Sequence, residues 1–286
     1  MPVNTAALKK RARRKLLVNT GKTLGVLVLI VWSLFPIAMM SMASFKPNID
    51  IFAVPQVWAF TPTFDHYIAL FTRWSAFFKG LGNSLIVTIG ATLLGVAVST
   101  LAGYAYSRFQ GKVLAGSAFF LIFIRLIPPI VITLPLFPVI NWLGWNDTHG
   151  MLIALYATFF VSLGTFIMRT FIDQIPKELD EAALVDGASR TTILRRIIVP
   201  LSGQGMLAVA VFIIVYAWNE FLFAFVFTST KAKTAPLVLS EMMGSLDGVE
   251  WGVLFAASTV QLLPILLFVV LAQKHLVAGL TAGAVK

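Results

Sequence analysis

Six stretches of this chain are each long and apolar enough to cross a bilayer as a helix, and this limits the possible folds more than any other feature. Crossing roughly 30 Å of hydrocarbon takes about 20 apolar residues at about 1.5 Å each. Residues 23–44, 82–107, 114–140, 150–172, 203–228 and 252–273 qualify. Backbone groups in hydrocarbon must be paired within the chain, so an all-α membrane protein with six transmembrane helices is expected. Of 286 residues, 58% are hydrophobic and only 12% charged. That is about half the charge of a soluble domain. The third stretch is the least regular. Its Pro128, Pro129, Pro135 and Pro138 must break or kink it, because each ring removes a donor and clashes with the preceding turn.

Basic residues set the orientation. With the N-terminal arm (Lys9, Lys10, Arg11, Arg13, Arg14, Lys15, Lys22) in the cytoplasm and six spans, sixteen of the 22 Lys and Arg fall on the cytoplasmic side. Lys46, Arg73, Lys79, Lys231 and Lys233 fall outside, and Arg125 lies within a span. Both termini are then cytoplasmic. The expected division is a basic arm at 1–22, a transmembrane domain at 23–273 enclosing a cytoplasmic insert at 173–202, and a tail at 274–286. A cleaved signal peptide ending near Ser41-Met42-Ala43 is the lesser reading, because its apolar region would exceed the usual length. The net charge of +10 is accounted for by this orientation and the membrane lipid beside it, not by nucleic acid. Cysteine is absent, and His66, His149 and His275 are far apart, so neither a disulfide framework nor a metal cluster is indicated. The outer loop 45–81 reads as an aromatic-rich cap.

The insert carries the strongest local signal. Five acids (Asp173, Glu178, Asp180, Glu181, Asp186) and five basic residues (Arg169, Lys177, Arg190, Arg195, Arg196) crowd into it and its flank. Pro176 can open a helix, and Glu178, Asp180 and Glu181 fall where the helix dipole favours negative charge. Leu179, Ala182 and Ala183 give a small apolar strip. Gly187 ends the helix as a left-handed cap, and Ser189 caps a second helix. That helix carries Ile193, Leu194, Ile197 and Ile198 on one face, and Pro200 stops it before the fifth span. Balanced charge argues against a hairpin resting on lipid headgroups; small residues beside an acid suit close packing into a protein pocket.

The run Glu181-Ala182-Ala183, three residues, Gly187, nine residues, Ile197-Ile198-Val199-Pro200 resembles the EAA loop of ABC importer permeases, departing only in Val199 for leucine. Gly82-Asn83-Ser84-Leu85, Arg125 with Pro128-Pro129, Leu143-Gly144 with Asn146-Asp147-Thr148, Trp218-Asn219-Glu220-Phe221 and the C-terminal Gly279–Lys286 resemble the maltose-type carbohydrate permeases, in particular the shorter, MalG-like partner. The resemblance implies a type I importer fold with a second permease subunit as heterodimer partner. It also implies two ATP-binding cassette subunits, an extracytoplasmic solute-binding protein and a place in a bacterial or archaeal inner membrane. By the same resemblance, Glu181 contacts the ATPase, Ala182 and Ala183 allow the fit, and Gly187 supplies the turn, with Ser189 and Pro200 framing the second helix. Residues 279–286 are further ATPase contacts, and the loop Lys231–Glu250 meets the solute-binding protein. The chain lacks a GxxxxGK[ST] phosphate loop, so ATP and Mg are expected on the partner ATPase and no cofactor in this chain.

Ionisable and amide residues inside spans suggest function. Arg125 reads as a pathway or gate residue, or as a partner for carbonyls freed by Pro128-Pro129; the second reading is preferred. Asn219 and Glu220 either line the pathway or cap an inter-helix network. Asn83 and Gln261 are further pathway candidates. Gly90, Gly95, Ser99, Ala102 and Gly103 suit close helix packing. The alternative function is a secondary transporter driven by an ion gradient, but Glu220 is nearly its only coupling carboxylate and inverted repeats are not evident. A membrane enzyme lacks a visible nucleophile–base pair.

Overall fold

The computed structural model describes the backbone of residues 5–245 and 248–282, and the side chains of 15, 18–245 and 248–273. Among them every regular element is helical. In chain order these are α1 (Thr5–Ala43), α2 (Asn48–Ile51), α3 (Asp65–Arg73), α4 (Ser75–Arg108), α5 (Lys112–Ile124), α6 (Pro129–Trp142) and α7 (His149–Ile172). There follow α8 (Lys177–Val185), α9 (Arg190–Ile193), a π-helical turn (Leu194–Ile198), α10 (Val199–Leu201) and α11 (Gly203–Asn219). The chain continues with α12 (Leu222–Phe227), α13 (Ala235–Met243) and α14 (Trp251–Ala282).

Four helices are long and apolar enough to span by length and composition: Val18–Ala43, Ser75–Arg108, His149–Ile172 and Trp251–Gln273. Six is reached only if each of two bent pairs is one span, α5 with α6 (103°) and Arg190–Leu201 with α11 (75°). The proline-rich third stretch does break, but only before Pro128. Pro135 and Pro138 lie inside α6 without ending it. The fifth stretch was expected to be continuous over 203–228. It breaks at Glu220, where the backbone turns extended (ψ 130) and α12 starts afresh. α1 reaches back through the basic arm to Thr5, and α14 runs on past 273 to Ala282. Side chains of 274–282 and residues 283–286 lie outside the described ones, and with them the tail contacts anticipated at 279–286.

The chain divides into two compact units, Met1–Leu70 with Glu250–Thr259, and Phe71–Val249 with Val260–Lys286. In the first, the aromatic segment is tightly stapled. Lys46 is fully buried; its Nζ donates to the Val57 carbonyl at 2.6 Å and lies 5.3 Å above the Phe60 ring. Phe45, Phe64 and Tyr67 cluster, and Phe52 packs edge-on against Trp251. The expected loop 45–81 is shorter than that, since α4 already begins at Ser75.

In the second unit α4 lies along α7, and α11 packs on both. Small residues permit the approach. A Cβ on Gly103 would sit 2.6 Å from the Met168 Cβ and 3.0 Å from the Arg169 backbone nitrogen. One on Gly95 would sit 2.6 Å from Ile213. Around this seam Val87, Ala91, Leu152, Tyr156, Met168, Ile172, Val209 and Ile213 are buried. The segment after α7 joins the same core through Ile193 and Ile198, both wholly buried. Their burial is worth about 1.5–3 kcal/mol each, so this segment is anchored rather than loose.

Candidate functional site

The charged insert folds as two linked helices, with the expected turn at Gly187 and the expected N-cap at Ser189. Pro176 is the N-cap of α8, one place earlier than a first-turn proline. Gly187 has φ +79, a backbone state that glycine adopts without strain. The Ala188 amide donates to the Ala183 carbonyl at 2.9 Å and the Gly187 amide to Leu184 at 3.0 Å. This paired closure is a Schellman motif, which satisfies carbonyls the helix end would leave open. Ser189 Oγ then accepts from the Thr192 amide at 3.2 Å, capping α9. Pro200 does not end this helix at once. The turn before it widens to a π-helix, with the Val199 amide donating to Leu194, and the chain stays helical to Leu201 before bending into α11. The wide turn precedes the proline, whose ring would otherwise press on the Arg196 carbonyl.

The outer face of α8 is uncovered. Glu181 and Ala182 are exposed and Ala183 is half-buried. Beside them Val185 is 88% exposed and Leu179 43%, an apolar strip set against carboxylates. Asp180 differs from its neighbours and from the helix-dipole role expected of it. It is buried and bonded to Arg108 Nε at 2.8 Å. The Arg108 guanidinium also reaches the carbonyls of Ile172 (3.3 Å) and Ile175 (2.9 Å). A polar pocket of about 380 Å³ lies beside this junction, lined in part by Gln110, Arg169, Asp173 and Lys177.

At the far end of α4, about 37 Å away at 1.5 Å per residue over 25 residues, a second polar cluster pins the chain. Asn83 donates to the carbonyls of Lys231 (2.9 Å) and Lys233 (2.8 Å) and pairs with His149 Nε2 (2.7 Å). Asp147 is a non-glycine residue at φ +58. Its carboxylate accepts from the amides of Ser229, Thr230, Lys231 and Ala232 and from both hydroxyls, at 2.8–3.2 Å. Burial raises its pKa, but the donors of Ala232, Lys231, Ser229 and Thr230 together outweigh this and hold it well below the usual carboxylate range. The expected open loop 231–250 is therefore half ordered. Residues Ala235–Met243 form α13, which buries Ala235, Leu237, Val238 and Met242. Before α13 Lys231 is exposed while Ala232 and Thr234 are buried, and after it Gly244 and Glu250 are exposed.

Of the pathway candidates, the structure brings Asn219 and Glu220 together. Both line a cavity of about 340 Å³ with Tyr156, Phe159, Phe160, Tyr216 and the start of α12. Glu220 accepts from the amides of Phe223 (2.8 Å) and Ala224 (3.4 Å), so it caps α12. Asn219 Nδ2 donates to the Val215 carbonyl at 2.7 Å. Arg125 sits at the break between α5 and α6 with its guanidinium 5.9 Å from the ring of Phe159, one of the residues lining that cavity; among the described residues it makes no hydrogen bond to the carbonyls freed by Pro128-Pro129, the partners preferred from sequence. Gln261 lies apart, its carbonyl accepting from Trp218 Nε1 at 3.2 Å. Asn83 is taken up by the 231–233 staple. Arg108, Asp147 and His149 were not singled out as site residues by sequence reasoning. Their partners across the fold lie 64 or more positions away, and only the positive-inside count, the spacing of the histidines and the Asn146-Asp147-Thr148 run touched them.

Apolar helices of spanning length, two bent helix pairs and a capped, charged two-helix insert with an exposed face define a multi-helix membrane protein. Residues 91–281 match the family of binding-protein-dependent transport system inner membrane components, and the chain belongs to that family. It is a permease subunit of the inner membrane, not an enzyme. It is 34% identical over 267 residues to the trehalose/maltose transport system permease protein MalG of Thermococcus litoralis, covering 92% of this chain and 95% of that one. It is 33% identical over 282 residues to the inner membrane ABC transporter permease protein YcjP of Escherichia coli, covering 96% and 98%. It is also similar to a trehalose transport system permease, SugB, of Mycobacterium tuberculosis (34% over 267 residues, 91% and 94%). Its fold matches a chain of a solved bacterial ABC transporter involved in alginate import, with a TM-score of 0.76 at 18% identity, covering 92% and 97%.

Proposed function

We propose that this chain is one of two permease subunits of an ATP-driven importer for a carbohydrate: a sugar, oligosaccharide, polyol or glycerol phosphate. It crosses the membrane six times with both termini in the cytoplasm, each bent pair counting as one span. The observation that carries the reading is α8, a surface helix closed by Gly187 and anchored beneath by Asp180, with Glu181, Ala182 and an apolar strip turned outward. An exposed apolar strip rimmed by charge marks a protein interface. The partner is a cytoplasmic ATPase, which binds ATP and Mg; this chain transmits its movement. Permeases named for trehalose and maltose support the carbohydrate assignment. So does the aromatic cavity at Tyr156, Phe160 and Tyr216, with Asn219 supplying a polar group. A solved alginate transporter of the same fold, bound to its periplasmic protein, supports delivery by a solute-binding protein. The exposed residues Ser229, Thr230 and Lys231 before α13, and Gly244 and Glu250 after it, are the surface offered to it. An ion-gradient mechanism is disfavoured because both oxygens of Glu220 are engaged in capping α12. Uptake of labelled trehalose and maltose by cells carrying the complete importer tests the reading. Glu181→Arg is expected to abolish it with the chain still inserted, and full uptake in that variant contradicts the docking role.

A further inference from the structure

The ion pair beneath α8 is more elaborate than the end of a helix requires. Arg108 is the last residue of α4, and besides the neighbouring Ser107 hydroxyl its donors reach three places outside its own helix. These are Asp180 in α8, the Ile172 carbonyl closing α7, and the Ile175 carbonyl in the turn between them. The two side chains are only 3% and 5% exposed. Asp180 Oδ1 is buried and takes no hydrogen bond among the described residues. A buried pair left half-satisfied gains little stability, because desolvation offsets the attraction. What it does well is fix geometry, since a planar guanidinium fork accepts few arrangements of its acceptors.

Resting on the coupling reading above, the geometry points to Arg108 as a positioning residue that locks the ends of α4 and α7 to the coupling helix α8. The three then move as one lever. Displacement of α8 by the ATPase passes along α4 instead of being absorbed in the turn 173–176. The close seam at Gly103, about one and a half turns from Arg108, keeps α4 and α7 from sliding.

The test uses the complete importer and needs no known cargo. The chain has no cysteine, so Leu85→Cys, on the exposed face of the far end of α4, gives a single reporter read on this chain's own band. Trapping with ATP, Mg and vanadate should change its rate of reaction with a thiol reagent. Asp180→Asn and Arg108→Lys should shrink that change about tenfold while the ATPase stays bound. A change of the same size in these variants, or none in the parent, overturns the lever. A second measurement leaves the pair intact. Gln110→Cys and Lys177→Cys flank the joint on one pocket. Bridging them with a short bifunctional reagent should leave ATP hydrolysis by the complex unchanged. Hydrolysis lost on bridging and restored by cleaving the bridge shows movement at the joint and overturns the proposal. Absence of any ATPase from the parent complex overturns the coupling reading and the lever with it, whereas an intact complex with an unaltered reporter response in the variants overturns the lever alone.

Discussion

Gly187 and Asp147 both hold a left-handed backbone, for different reasons. Gly187 closes a helix with no side chain to strain, and its surroundings leave open space. A β-branched residue there meets only the conformational cost, on the order of 1–3 kcal/mol. Gly187→Val should therefore insert normally yet lose ATPase binding; unchanged co-purification with the ATPase would count against the turn's role. Asp147 is held left-handed by the donors it gathers from 229–232. Its folded pKa is depressed, so its stabilisation is complete at neutral pH and is lost as pH falls below the unfolded value near 3.8. Asp147→Asn should lower the unfolding midpoint by an amount that is constant from neutral pH down to that value and narrows below it. A gap that widens with acid contradicts the staple. Gly187 and Ser189 were legible in sequence because a cap is local, its hydrogen bonds here spanning five residues at most. Asp147 and Arg108 were not, because their partners across the fold lie 64 or more positions away, and an arginine ending an apolar span looks the same whether it faces headgroups or a buried aspartate.

At the scale of elements, the α4–α7 seam carries the fold. Small residues on α4 marked close packing in the sequence, and Gly103 is the tightest case because a backbone nitrogen, which cannot swing aside, stands in the way. Gly103→Val should separate the helices at a cost of about 1–3 kcal/mol. A thermal midpoint in detergent equal to the parent's would show that the seam tolerates a wider spacing. The breaks were read unevenly. Pro128-Pro129 announced one correctly, yet Pro135 and Pro138 sit in unbroken helix. The break at Glu220 had no proline or glycine to mark it; it follows from a carboxylate that caps the next helix instead of continuing the first. The π-turn before Pro200 was likewise invisible, being a response of the backbone to a ring a few residues on.

For the whole molecule, apolar run lengths gave the helices, while the crossing count depends on how two bent pairs are treated. The lack of cysteine makes this testable. Gln174→Cys should be shielded from a membrane-impermeant thiol reagent in intact cells, and Thr230→Cys should react; the reverse pattern contradicts six spans with cytoplasmic termini. The central claim is that α8 is the point where another subunit's ATP cycle enters this one. Purification of the chain in mild detergent with its partners co-expressed tests it most directly. An ATPase and a second permease should accompany the parent chain, and Glu181→Arg should release the ATPase while keeping the second permease. A parent chain that brings down no ATPase, or a Glu181→Arg chain that keeps it in full, contradicts the account.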